Sequence, residues 1–221
     1  MMADFFGSIY RSQSGSSGGG NTFNPRQVML NTMGQQITMD WMMKAVLDGA
    51  AYQIKAGTIS APVTGDGTGI TDTAAEMAAD VASGTTIIPV EALTSIGALT
   101  GDAGEGAVKS VATVSSSGTA FTPLPLRSGG PGATSTARVQ ATGAVTVTAE
   151  LVTTTLTHHA WASETGATAA TDTANAARVQ LWRPVAAPIL VGARSLYLQV
   201  AISTYWAHMD YIELDSDVIA R

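Results

Sequence analysis

A strict alternation of side chains in residues 195–202 is the feature that most constrains the fold of this chain. One face of this segment is wholly apolar, comprising Leu196, Leu198, Val200 and Ile202. A period of two is the signature of a β-strand, because successive side chains of a strand point to opposite faces. The alternation resumes over residues 205–214, after a short connection at Ser203 and Thr204. The sequence therefore predicts a long β-hairpin here.

The rest of the chain after Gly49 is rich in Thr, Val, Ala and Gly, and Gly-rich clusters interrupt it at short intervals. Thr and Val favour strands, and Gly clusters mark turns. We predict strands near residues 51–60, 84–93, 106–114, 119–126, 135–141, 144–152, 155–162, 177–182, 195–202 and 205–214. The Ala-rich segment 71–82 predicts a short helix or an irregular loop. Many short strands with regular turns indicate a mainly β fold, a sandwich or a barrel.

A change of parity occurs between residues 144 and 161. Val145, Val147 and Leu151 share one face of an extended segment, whereas Leu156 falls on the other. Since a slip of one residue moves every side chain to the opposite face, a bulge or turn is expected near Thr153–Thr155.

The first 23 residues predict a flexible arm. Eight of the ten residues 11–20 are Ser or Gly, so this segment buries too little apolar area to offset its ordering entropy. An apolar tag precedes it, with Phe5, Phe6, Ile9 and Tyr10. These side chains either belong to a frayed terminus or dock on a neighbouring subunit.

Residues 24–49 predict a helical segment. Asn24 is a suitable cap and Pro25 suits the first helical position. Apolar side chains recur at spacings of three and four, at Met29, Met33, Ile37, Trp41, Met42 and Ala45. The stripe is either ordinary core packing or an adaptable binding face, and Gly49 is expected to end the helix. The remaining residues, 50–221, form the predicted β domain.

The composition limits what the chain can do. Only 13% of the residues are charged, against about 25% in an average protein, and mean hydropathy is +0.19. The longest apolar stretch has about 8 residues, whereas a membrane helix needs about 20. The net charge is −6 and the basic residues are scattered, so extensive direct nucleic-acid binding is not expected. A weakly charged exterior indicates a subunit whose surface other proteins cover.

Candidate chemistry is sparse, and we expect no enzyme, no metal and no cofactor. His158 and His159 are adjacent on a predicted strand, so their side chains point to opposite faces. His208 and Asp210 share a face and could form a hydrogen-bonded pair, at a subunit contact or within the fold. Trp206 lies on the same predicted strand and is expected to contribute to packing or association.

Several features taken together resemble the single jelly-roll structural proteins of tailless icosahedral viruses of bacteria or archaea. They are the early strand GTTIIPVEAL (84–93), the middle Thr/Val strands and the closing hairpin RSLYLQVAISTYWAHMDYIELD (194–215). The resemblance covers roughly residues 50–215. It implies a sandwich of about eight strands in two sheets, preceded by an N-terminal arm and a short helix.

This resemblance also implies a function, that of a capsid subunit that assembles in the host cytoplasm and resides in the virion. Its partners would be copies of itself and other virion proteins. Because the arm is not basic, the shell would suit a genome separated from it by another layer, such as an internal membrane. Two alternatives stay open: a decoration or spike protein of a phage, and a carbohydrate-binding β module in which Trp and Tyr stack on sugars.

Overall fold

The computed structural model describes residues 40–65, 70–98, 104–140, 144–162, 178–201 and 204–216. All of these residues except Asp40 belong to a compact unit that runs from Trp41 to Arg221. They form one helix and three antiparallel sheets, so the expected mainly β fold is confirmed. Among them, no helix is both long and apolar enough to cross a bilayer.

The first sheet has seven strands. Along its main path the order is β13 (Arg178–Trp182), β5 (Thr85–Ala98), β16 (Thr204–Asp215), β1 (Ala51–Ala56) and β9 (Leu124–Pro125). Two short strands join it at the sides: β14 (Leu190–Val191) pairs with β5, and β2 (Val63–Thr64) pairs with β16. The pairing of β5 with β16 is the longest, and it shifts register at Asp210/Tyr211.

The second sheet has six strands, in the order β12 (Thr155–Ala162), β6 (Glu105–Val111), β15 (Arg194–Ala201), β4 (Met77–Val81), β10 (Thr136–Val139) and β8 (Thr119–Phe121). A third, small sheet contains β3 (Ala74–Ala75), β11 (Val145–Thr146) and β7 (Ser116–Ser117).

The main core lies between the two larger sheets. One cluster of buried side chains takes members from both, including Ile54 and Met209 of the first sheet and Leu198 of the second. Each large apolar side chain buried in this way contributes about 1.5–3 kcal/mol to the stability. The two sheets therefore pack face to face, as in a β-sandwich.

The small sheet covers the outer face of the second sheet. Val145 and Ala75 pack on Tyr197, Val111 and Ala78 in a second buried cluster. This explains why seven of the eight residues of β15 are buried, on both faces of the strand. The alternation in residues 195–201 correctly predicted a strand, but the face of Tyr197 is covered as well. The predicted hairpin was wrong: β15 pairs with β4 and β6, whereas β16 pairs with β1, β2 and β5 in the other large sheet.

Helix α1 (Trp41–Asp48) covers part of the outer face of the first sheet. Ala45 packs on Ala51 and Ile212 in a third cluster. The helix ends before Gly49, as expected: Gly49 has a φ of 75°, its N–H donates to Val46 O, and Ala50 N–H donates to Ala45 O. This pair of bonds is the Schellman arrangement, in which glycine tolerates the left-handed conformation. Residues 24–39 of the predicted helix lie outside the described part.

Some predictions about single elements were wrong. Residues 71–82 form β3 and β4 and neither a helix nor a loop, and all five residues of β4 are buried. The segment 119–126 divides into β8 and β9, which belong to different sheets. The strand expected over 144–152 is only Val145–Thr146. The expected break near Thr153–Thr155 is confirmed, because Thr154 N–H and Thr155 N–H both donate to Leu151 O in a turn.

Three buried tyrosines make the free energy of unfolding depend on pH in the alkaline range. Burial raises the pKa of Tyr197 to about 12, and it also raises the pKa values of Tyr205 and Tyr211. Their unfolded pKa is about 10, so above this pH the unfolded chain binds fewer protons than the folded chain. The stabilisation that these tyrosines contribute is therefore fully present below about pH 10, and it is lost as the pH rises through about 12.

Tyrosinate absorbance and far-UV circular dichroism, followed together during an alkaline titration, measure this effect. We expect ionisation of these three tyrosines to coincide with unfolding, while the chain in concentrated urea titrates near pH 10. Ionisation of all of them near pH 10 in a chain that stays folded would contradict the prediction.

Candidate functional site

In the part of the chain that the structure describes, the first sheet ends on one side at β13 and β14, beside which apolar side chains are exposed. β13 and β14 both pair with β5, along the side of β5 that β16 does not occupy. The large apolar side chains exposed here, which we call the apolar edge, are Val179, Leu181, Val185, Ile189 and Val191. An outermost strand offers unpaired N–H and C=O groups to another chain.

The second sheet ends in a comparable strand on the same side. β12 is its outermost strand, carries no Asp, Glu, Lys or Arg, and exposes Leu156. The imidazole of His158 on β12 stacks on the indole of Trp182 on β13, with ring centroids 5.9 Å apart and planes inclined by 21°. The outermost strands of the two sheets therefore meet on this side of the sandwich.

His158 and His159 do not form a site together. His158 Nε2 lies 2.8 Å from Ser110 Oγ, and burial lowers the pKa of this imidazole. The register of β12 shifts between Thr157 and His159, so that a bulge falls at His158. Both histidines are half-buried side chains of an edge strand.

The outer face of the first sheet carries a half-buried polar cluster beside the region that α1 covers. Alternation along β16 places Tyr205, Ala207 and Met209 in the core and directs Trp206, His208 and Asp210 outward. The neighbouring strands bring Gln53 and Glu91 to either side of Asp210, because both residues are its register partners.

Specific contacts hold this cluster together. Gln53 Nε2 donates to Asp210 Oδ1 at 2.9 Å, and His208 Nε2 lies 3.3 Å from Glu91 Oε1. Arg183 Nε donates to Glu91 Oε2 at 2.6 Å from an exposed position. The indole of Trp206 stacks on the imidazole of His208, with centroids 6.2 Å apart and planes inclined by 25°. Burial raises the pKa of Asp210, against the opposing effects of Gln53 and His208.

A groove adjoins the cluster. It has a volume of about 400 Å³ and lies between β1, the segment that follows it, and β16. Its lining is mixed: Trp206 and Ile59 are apolar, whereas Lys55, Thr58 and His208 offer hydrogen-bonding groups.

The structure thus brings together three of the residues that the sequence singled out, Trp206, His208 and Asp210. The possible direct pair of His208 and Asp210 is replaced by bonds to Glu91 and Gln53, which sequence reasoning missed. Trp41 is exposed on α1. Six other candidates lie outside the described residues: Phe5, Phe6, Ile9, Tyr10, Met29 and Met33.

Trp206→Ala is expected to lower the free energy of unfolding by about 1–2 kcal/mol, to weaken association, or both. The indole is half-buried and stacks on His208, so its loss exposes that imidazole and removes apolar contact area. Urea unfolding and sedimentation velocity measure the two effects. Trp206→Phe, which keeps an aromatic ring at this position, is the control. Unchanged stability together with unchanged association would contradict the prediction.

Comparison with known proteins returned nothing: no family model, no curated protein and no solved structure matches this chain.

Proposed function

We propose that this chain is a structural subunit of a virion, a capsid protein with a jelly-roll fold. The nested pairing of its strands supports the fold. Eight strands taken in chain order are β1, β4, β5, β6, β12, β13, β15 and β16. The first pairs with the eighth, the second with the seventh, the third with the sixth and the fourth with the fifth.

Two more pairings support the same fold. β16 also pairs with β5, and β15 with β6, so that each of the last two strands lies in the middle of one of the two sheets. A long antiparallel ribbon that is folded over in this manner gives two four-stranded sheets with Greek-key connections, and this is the jelly-roll arrangement. The other strands of the two sheets add to the sides of this frame.

The observation that carries the functional proposal is the apolar edge. Five large apolar side chains are exposed along 13 residues, from Val179 to Val191, beside strands that have no further partner among the described residues. An exposed apolar patch of this kind marks a protein–protein contact. The low charge of the chain adds to the argument, because it limits repulsion between the many copies of a closed shell. Each contact is weak by itself, and closed symmetry multiplies it.

Several basic residues of the described part already pair with carboxylates, which favours protein partners over nucleic acid. Lys109 pairs with Glu150, Arg138 with Asp80, and Arg183 with Glu91. Cations that already contact carboxylates are poorly available for phosphates. The proposed partners are copies of this chain, other virion proteins, and an inner layer or an internal membrane that separates the shell from the genome.

Negative-stain microscopy and sedimentation velocity of the purified chain test this function. A capsid subunit forms closed particles at high protein concentration. A small soluble trimer that never closes into shells would instead indicate a decoration or spike protein. A monomer that stays dispersed at millimolar concentration and joins no particle would refute both.

Deletion of residues 1–24 is expected to leave the β domain folded and to impair particle formation. The deleted residues precede the compact unit that begins at Trp41, and they contain the apolar tag predicted to dock on a neighbour. Circular dichroism reports the fold and microscopy counts particles. A chain with Phe5, Phe6, Ile9 and Tyr10 all replaced by Ser is the matched control of full length. Equal particle yield from the truncated and full chains would contradict the prediction.

A carbohydrate-binding β module is the second candidate, and the groove beside Trp206 favours it. An indole next to Lys55 and Thr58 offers a stacking surface with hydrogen-bonding groups, as sugar rings require. A glycan array tests this alternative. Absence of binding across the array would remove it and leave the virion proposal standing.

A further inference from the structure

We infer that Glu91, His208 and Asp210 bind a divalent transition-metal ion, with Zn²⁺ as the representative case. The ligand atoms of the three side chains all lie within 4.8 Å of one another. One imidazole nitrogen and two carboxylate oxygens form a donor set that suits Zn²⁺. This inference is independent of the proposed role in a virion.

The register of the sheet gives the first reason. Asp210 on β16 lies directly opposite Glu91 on β5, so two carboxylates face each other on adjacent strands. Like charges in directly opposite positions destabilise a sheet. Arg183 contacts Glu91, but its side chain is 69% exposed, so water screens much of its charge. A divalent ion between the two carboxylates would offset this repulsion far more effectively.

The second reason is that the ligands are already held in position. Gln53 Nε2 donates to Asp210 Oδ1 and fixes that carboxylate, while the ring of Trp206 stacks on His208 and fixes the imidazole. His208 Nε2 faces Glu91 Oε1 across 3.3 Å, so the nitrogen that would bind the ion already points at a second ligand. Such supporting contacts orient metal ligands and raise their affinity. Only 18% of the His208 side chain and 16% of the Glu91 side chain are exposed, which reduces competition from water.

The groove supplies the remaining coordination positions. Gln53 and His208 belong both to its lining and to the polar cluster, so water can reach the ion from this side. Three protein ligands with a water-filled fourth position is a common arrangement for zinc.

Isothermal titration of the full chain with ZnCl₂, after removal of metal with a chelator, tests the inference. We expect one Zn²⁺ per chain, loss of that binding in His208→Gln and Asp210→Asn, and about tenfold weaker binding in Gln53→Ala. His158→Gln and Asp48→Asn are matched controls, because they remove an imidazole and a carboxylate elsewhere, and they should bind as the original chain does. Circular dichroism verifies that each variant is folded.

Co²⁺ provides a readout that locates the ion. Its binding should quench the fluorescence of Trp206, and Trp206→Phe should lose this part of the quenching. The inference is overturned if the original chain binds no Zn²⁺, or if His208→Gln binds it equally well. If the ligand variants do not fold, two other results decide. Undiminished Zn²⁺ binding by Gln53→Ala, together with no quenching of Trp206 by Co²⁺, would also overturn the inference.

Discussion

Asp80→Ala is expected to lower the free energy of unfolding by about 3–5 kcal/mol, the usual effect of removing one partner of a buried charged network. Asp80 on β4 is 7% exposed. Its carboxylate accepts hydrogen bonds from Ser115 N–H and Ser115 Oγ, both at 2.8 Å, and from the hydroxyl of Ser195. Arg138 Nε donates to the same carboxylate at 3.1 Å.

The size of this effect follows from what these groups connect. Ser195 belongs to β15, Arg138 to β10, and Ser115 to the segment that leads into β7. Without the carboxylate, two hydroxyls and one N–H in the interior lose their acceptor, and each such group costs about 1–3 kcal/mol. The cation of Arg138 loses its carboxylate partner as well.

Equilibrium unfolding in urea measures the change. Asp48→Ala is the control, since Asp48 forms an exposed pair with Lys44 on α1 and should change the stability by less than about 1 kcal/mol. A similarly small change for Asp80→Ala would mean that the network around Asp80 adds little to the stability.

The double substitution Val179→Asp and Leu181→Asp is expected to abolish particle formation and leave a folded monomer. Both side chains are exposed on β13, so the change adds no buried charge to the monomer. Because each side chain is already about half buried in the subunit, complete burial of the two in a contact contributes about 1.5–3 kcal/mol in all. Its loss weakens each contact by about tenfold to a hundredfold, before the added repulsion between copies is considered.

Microscopy and sedimentation velocity measure this loss, and urea unfolding verifies that the monomer keeps its stability. Val114→Asp with Val152→Asp is the matched control, because both valines are exposed outside the apolar edge. Particles formed as readily by the β13 variant as by the control would exclude the apolar edge as the subunit contact.

The alternation of side chains predicted β15 and β16 as strands because both are long and lie in the middle of a sheet. It did not reveal that the two strands belong to different sheets, so the predicted hairpin was wrong. In β16, core residues such as Ala207 and Met209 alternate with half-buried ones such as His208, which is the pattern that a period of two describes. The pattern was weaker as a guide in β15, where the small third sheet buries the opposite face as well.

Residues 77–81 show where local propensity fails. Alanine favours helices in isolation, and Ala78 and Ala79 suggested one. In the folded chain these two small side chains occupy opposite faces of β4, and each face is covered by a different cluster. Their burial depends on strands that are distant in sequence, so tertiary packing overrides the local preference.

The polar cluster likewise depends on contacts between residues that are distant in sequence. The sequence placed His208 and Asp210 on one face of a strand, since they are two residues apart. It could not identify Gln53 or Glu91, because only the pairing of β1 and β5 with β16 brings them next to Asp210. The signal that identifies Gln53 and Glu91 is therefore the strand register and not their spacing in the sequence.

The nested pairing also has a consequence for biosynthesis. β1 and β4 are made early, yet their main partners are β16 and β15, more than a hundred residues later. A nascent chain therefore cannot close either sheet until β15 and β16 have left the ribosome, and a topology so rich in distant contacts folds slowly. Until then, the core faces of the early strands stay exposed to solvent, where unpaired strands and apolar side chains are prone to aggregate.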